Sequence, residues 1–118
     1  MEDRDLIGYK VMRTENGQII SGADNRQSFK LELNHEISMP GNGIYIGVDR
    51  DYVMDYYSGL AEEEVLLTLR FNTDDIITGD LNDKEPELSV KKVTILNYEH
   101  ILDGELLKPT IKTKKLKP

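Results

Sequence analysis

The chain is predicted to fold as α+β, with a mostly antiparallel sheet of five to seven strands and one main helix over about residues 50–60. Three patterns carry this. Apolar and polar side chains alternate through residues 7–13, 29–33 and 64–71, as they do where one face of a strand is buried and the other wet. Asn16-Gly17 separates two β-prone runs, and both residue types tolerate the positive φ of a tight hairpin. Only residues 49–60 carry helical spacing.

In chain order, residues 7–13 and 18–21 form the hairpin. Tyr9, Val11 and Arg13 share one of its faces, and Lys10 and Met12 share the other. A polar loop over 22–28 leads to a strand in which Phe29, Leu31 and Leu33 alternate with Lys30 and Glu32. Residues 34–42 hold Pro40 and Gly41 and read as a loop before a buried strand over 44–48. Asp49 is a suitable helix N-cap, because its carboxylate can accept from the free N–H groups of the first turn. From it, Tyr52, Val53, Tyr56, Tyr57 and Leu60 fall on one helical face, with Gly59 near the end.

Val65, Leu67, Leu69 and Phe71 then alternate with Leu66, Thr68 and Arg70, and the first half of this run is apolar on both faces. That predicts a central strand. Residues 72–75 read as a turn, Ile76-Ile77 as a short strand, 79–87 as an acidic loop, and 88–98 as one strand with a β-bulge at Lys91-Lys92.

At 118 residues there is room for one hydrophobic core, placed in residues 1–103. No apolar run approaches the roughly 18 residues of a membrane-crossing helix, so no membrane partner is expected. The acidic start, Met1-Glu2-Asp3-Arg4-Asp5, is unlike a secretion signal. With no cysteine in the chain, these features predict a cytoplasmic protein. Net charge is −7, yet residues 104–118 carry Lys108, Lys112, Lys114, Lys115 and Lys117 against Glu105 alone. An acidic body thus ends in a basic tail, read as a solubilising terminus or as an arm docking on an acidic surface. An acidic body disfavours direct nucleic-acid binding, which depends on clustered cations.

Several chemistries have no motif. There is no Walker loop, no G-x-S-x-G and no Cys–His pair, and Gly41-x-Gly43 opens a strand where a Rossmann fingerprint opens a helix. Asp74, Asp75, Asp80, Asp83, Glu85 and Glu87 crowd one segment, but Lys84 and Pro86 break the calcium-loop pattern. His35 and His100 stand apart, so no metal site is expected.

The stretch with the character of a site is Gly41-Asn42-Gly43-Ile44-Tyr45-Ile46-Gly47, followed by Asp49-Arg50-Asp51-Tyr52-Val53-Met54-Asp55-Tyr56-Tyr57. It resembles ADP-ribosyltransferases of the poly(ADP-ribose) polymerase kind, in which a G-x-G-I-Y-F strand leads into a helix ending near an aromatic residue and a second hydrophobic strand follows. The resemblance covers residues 41–71 and, more loosely, 85–96. It implies an NAD site with Tyr45 beneath the nicotinamide, Tyr56 or Tyr57 as the helix aromatic, and Glu87 as the catalytic carboxylate. Glu85-Pro86-Glu87 is also similar to the E-x-E pair of the arginine-modifying branch, whose early-strand anchor would be Arg13. Ribosyl transfer needs such a carboxylate to stabilise the cationic ribose and an aromatic surface to hold the ring.

The chain departs from the pattern where the family anchors its cofactor. Tyr9 and Lys10 stand where one branch has a histidine, and Ser38 alone answers to the Ser-Thr-Ser strand of the other. The resemblance therefore implies a shortened, catalytically silent scaffold of the kind found in small phage or mobile-element proteins. Its expected role is a non-catalytic interaction or inhibitor module without cofactor, binding a basic or nucleic-acid-binding protein through an acidic surface. Two alternatives stay open. One is an active mono-ADP-ribosyltransferase using NAD with Tyr45 and Glu87. The other is an acidic nucleic-acid mimic, with Glu62-Glu63-Glu64 and the carboxylates of 74–87 in rows. Tyr52, Tyr56 and Tyr57 also have a plain packing role, joining the helix to the sheet with their hydroxyls toward water.

Overall fold

Extended backbone takes up more of the chain than the alternating patterns foretell. The computed structural model describes residues 4–15, 18–20, 28–38, 41, 43–82 and 87–106. Its strands are β1 (Asp5–Glu15), β2 (Gln18–Ile20), β3 (Ser28–Lys30), β4 (Glu36–Ser38), β5 (Ile44–Gly47), β6 (Glu63–Asn72), β7 (Ile76–Thr78), β8 (Glu87–Val90), β9 (Lys92–Leu102) and β10 (Glu105–Leu106). One helix, α1 (Arg50–Tyr57), lies between β5 and β6, and a 3-10 turn (Thr73–Asp75) follows β6.

Of the described residues 61% are strand and 13% helical, so the domain is β-rich with a single helix, and the predicted α+β class is corrected. Two segments account for part of the surplus. Glu36–Ser38, expected to be loop, pairs with β9, where Ile37 opposite Val93 is buried. Glu105–Leu106 turns back onto Leu102 and Ile101, so the sheet takes in the first residues after Gly104. In both cases a backbone that would otherwise need water finds strand partners, and an apolar side chain is covered with it.

The helix is shorter than residues 50–60 because its last turn is diverted. Ser58 closes it, with both its N–H and its hydroxyl donating to the Met54 carbonyl. Gly59 then takes φ +86° and donates its N–H to the Glu64 carboxylate at 2.8 Å. At the other end Asp49 caps as predicted, accepting from the Tyr52 N–H at 3.0 Å. Arg50 holds Glu99 of β9 through two hydrogen bonds from one guanidinium nitrogen, at 2.9 and 3.1 Å, which pins the helix start to the sheet.

All strand pairs are antiparallel, in the order β10-β9-β6-β1-β5-β8-β7, with β2 and β3 extending from β1 and β4 lying beside β9. The first hairpin is present, in register Glu15↔Gln18, while Asn16-Gly17 itself lies outside the described residues. The predicted loop tips at 22–27, Pro40, Asn42, Glu85-Pro86 and the tail from 107 also lie outside them.

β6 is central, paired with β1 from Asp5↔Asn72 to Arg13↔Glu64 on one side and with β9 on the other. The segment expected as one bulged strand is two. Lys91 leaves the ladder to donate its N–H to the Asp75 carbonyl, separating β8 from β9. Register shifts fall instead between Thr68 and Leu69, opposite Asn97 and Ile95, and between Ile76 and Thr78 in the β7–β8 pair.

Alternation along β6 sets the two cores. Val65, Leu67, Leu69 and Phe71 join Met12, Ile46, Leu88 and Ile95 in the larger one. Among the described residues no helix side chain joins this cluster, which is built from strands, with Ile37 of β4 and Val90 of β8 among its members. Leu66 faces the other way and meets Val11, Ile101 and Val53 of α1 in a small second core. Among the described residues no helix is long and apolar enough to cross a membrane.

Candidate functional site

Glycine sets the start of β5. Gly41 and Gly43 both have positive φ, +73° and +76°. A Cβ on Gly43 would collide with the Val90 carbonyl oxygen, so only glycine lets β5 lie this close to β8. Once β5 is seated, Ile44 and Ile46 point into the larger core, and Tyr45 between them stands on the helix side, 55% exposed.

A row then runs across three strands on that side. Tyr9 pairs with Gly47, and Gly47 pairs with Glu87. Tyr9↔Gly47 is the single registered pair between β1 and β5, and beyond it the strands part. The Lys10 ammonium reaches across the gap to the Tyr45 carbonyl at 2.8 Å. Where the strands diverge, α1 forms a roof, and the space between is an open cleft of about 400 Å³. Val11 and Val53 line its apolar part, Tyr9, Tyr45, Tyr57 and Leu60 its walls, and Lys10, Arg13, Glu64 and Glu87 its charged positions.

The helix tyrosines are organised by Glu87. The Tyr57 hydroxyl donates to its Oε1 at 2.6 Å and the Tyr52 hydroxyl to its Oε2 at 3.0 Å. Tyr52 meets Tyr57 edge-on, with centroids 6.4 Å apart, and packs against Tyr56 at 4.5 Å. Desolvation first, and then the hydrogen bond and negative charge of Glu87, push the Tyr57 phenol well above the usual tyrosine range. A carboxylate has about four lone-pair positions, so two phenols leave Glu87 able to accept from a ligand as well.

Charge in the cleft is mixed and largely matched within the protein. Arg13 stands directly opposite Glu64 in the β1–β6 register and lies 3.9 Å from Glu15. Glu64 is only 3% exposed, and its Oε1 takes the Gly59 N–H. Of Glu62-Glu63-Glu64, then, two carboxylates face water and the third turns inward, so the run does not present three in a row.

Tyr45, Tyr57, Arg13 and Glu87, far apart in sequence, thus line one cleft. Tyr56 does not; it lies outside, 61% exposed. The helical face from Tyr52 to Leu60 is also more open than its spacing predicts, since Val53 is its single buried member and Leu60 is 73% exposed. Glu87 begins β8 and is not part of a loop. Among the described residues no three His, Asp or Glu side chains gather as a metal site.

No family model matches the chain, and no curated protein or solved structure matches it either. The likeness to ADP-ribosyltransferases rests on the residues quoted above.

Sequence reasoning missed Tyr9, Lys10, Leu60 and Glu64 as cleft residues. For Glu64 a signal existed: it shares the period-two face of Leu66, which looks toward the helix. The parting of β1 from β5, which creates the space, has no counterpart in residue type.

Proposed function

We propose that this chain is a cytoplasmic, non-catalytic protein-binding module that takes an apolar anchor of a basic partner into the cleft between α1 and the β1/β5 divergence. One observation carries this reading: the cleft joins an apolar floor of Val11 and Val53 to uncovered Tyr45 and Leu60. Buried apolar pockets rimmed by exposed aromatic groups are where binding energy concentrates at protein interfaces. The surface of α1 and the start of β6 carry exposed carboxylates, Asp49, Asp51, Asp55, Glu62 and Glu63, and the chain as a whole is acidic at −7. They favour approach by a cationic surface.

A photo-crosslinking residue at Leu60 should capture the partner from host lysate, and one at Leu33, outside the cleft, should not. Capture should weaken as salt rises. Equal capture at both positions, or capture insensitive to salt, would overturn the proposal.

A second reading is favoured by the gathering of Tyr45, Tyr57 and Glu87 at one cleft. It is NAD-dependent mono-ADP-ribosyl transfer, with Glu87 holding the ribose and the tyrosines the nicotinamide. Against it, Tyr9 and Lys10 stand where one branch has its histidine, and Arg13, the anchor the other branch could use, is set against Glu64 and Glu15. Label passing from NAD to protein in lysate, and lost in Glu87→Gln, would establish transfer and displace the binding reading.

A further inference from the structure

The cleft brings together three aromatic rings and a carboxylate, a combination with its own ligand chemistry. Tyr9, Tyr45 and Tyr57 line it from β1, β5 and α1, and Glu87 lines it from β8. The face of a tyrosine ring is electron-rich and attracts a cation, more strongly where water is excluded. The Tyr57 hydroxyl is spent on Glu87, so what Tyr57 offers the cleft is its ring.

The two cations in the lining have partners of their own. Lys10 is held on the Tyr45 carbonyl, and Arg13 is set against Glu64 and Glu15. Glu87 lines the space beside these tyrosines, with Glu64, Lys10 and Arg13 also in the lining and a floor of valines that suits methyl or methylene groups.

We infer that the cleft is a site for an alkylammonium group, a positive nitrogen carrying aliphatic carbon, of the kind presented by a lysine or methylated lysine side chain or by a free quaternary amine. The cation lies against the Tyr9, Tyr45 and Tyr57 rings with Glu87 as its counter-charge, and its carbon contacts Val11 and Val53. The inference rests on the binding-module reading and names the chemical group that the partner brings to the cleft.

The test is a titration of the full chain with choline and, separately, with its neutral carbon isostere at matched ionic strength, followed by backbone amide chemical shifts. Choline should move the signals of Tyr45, Gly47, Tyr57 and Leu60 and bind about tenfold more tightly than the isostere. Glu87→Gln should remove most of that preference. Because Glu87 also organises the helix tyrosines, Tyr45→Leu and Tyr45→Phe serve as a second pair. Loss in the first and retention in the second would assign the effect to the ring.

Equal binding of choline and isostere, an unchanged preference in Glu87→Gln, or no shifts with either probe would overturn the alkylammonium site. A peptide bearing trimethyllysine identifies the source. Tighter binding than choline points to a protein side chain, and weaker binding points to a free amine. Should crosslinking at Leu60 succeed while choline fails, the partner enters with an uncharged anchor, and only this inference falls.

Discussion

The Tyr57 hydroxyl at the end of α1 donates to Oε1 of Glu87 at the start of β8, 2.6 Å away and thirty residues on in sequence. The bond couples the roof of the cleft to its far wall. It also makes Tyr57 hard to ionise, because desolvation and the neighbouring carboxylate both oppose a phenolate.

The sign of the resulting pH dependence follows from linkage. In the unfolded chain the phenol ionises near about pH 10, while in the folded protein it holds its proton to higher pH. The stabilising contribution of the Tyr57–Glu87 pair is therefore complete below about pH 10 and is lost as pH rises from there through the folded pKa. Thermal unfolding from about pH 9 to pH 11 should show a smaller fall in Tm for Tyr57→Phe than for the parent. The alkaline ultraviolet titration should lose a late-ionising tyrosine in the same variant. Superimposable titrations would mean that the hydrogen bond is absent in solution.

Glu64 is buried for a structural purpose that two substitutions can separate. It accepts the Gly59 N–H at 2.8 Å and stands opposite Arg13. Glu64→Ala leaves a partly buried donor unpaired and should cost about 1–3 kcal/mol in urea unfolding. Glu64→Gln keeps an acceptor for Gly59 and should cost clearly less. Equal losses would show that the charge facing Arg13 matters more than the turn it closes.

Gly41 and Gly43 share a positive φ and differ in surroundings. A Cβ at Gly41 meets nothing within 4 Å, whereas at Gly43 it meets the Val90 backbone and Ile77. Gly41→Ala should cost only the backbone strain of a left-handed residue, about 1–2 kcal/mol. Gly43→Ala should cost more, because β5 must also move away from β8. Comparable Tm values for the two variants would contradict the close β5–β8 approach.

The strands over residues 7–13 and 64–71 and the capped helix start were legible in sequence because each follows from local chemistry, whereas the strand expected over 29–33 ends at Lys30 and leaves Leu33 exposed. Tyr9 and Val11 part from Met12 by period two alone, and Asp49 announces the cap. β4 and β10 were not legible, since Glu36–Ser38 and Glu105–Leu106 are short and mostly polar and become strand through what β9 offers them. The helix end was misplaced for a similar reason: Leu60 keeps the helical spacing, but the acceptor that draws Gly59 out of the helix is Glu64, five residues on. At the site, the residue types of Tyr45, Tyr57 and Glu87 were readable. Their meeting was not, because it depends on β8 pairing with β5 across residues 48–86 of intervening chain.

The roof of the cleft should open as a unit of its own. α1 has eight residues, too few to stand alone in water, and Val53 is its single buried side chain. Val53→Ala removes carbon worth roughly 1.5–2 kcal/mol of burial from the contact between helix and sheet. If α1 detaches locally, amide exchange over residues 53–58 should quicken by about tenfold or more, since each 1.4 kcal/mol is a factor of ten in the opening equilibrium. Exchange at Leu66 and Leu67 in the central strand should change much less, because those amides open only with the whole sheet. Equal acceleration at both places would make α1 part of the global folding unit. The cleft wall could then move only when the protein unfolds, and a ligand would have to enter past Tyr45 and Leu60 with the helix fixed in place.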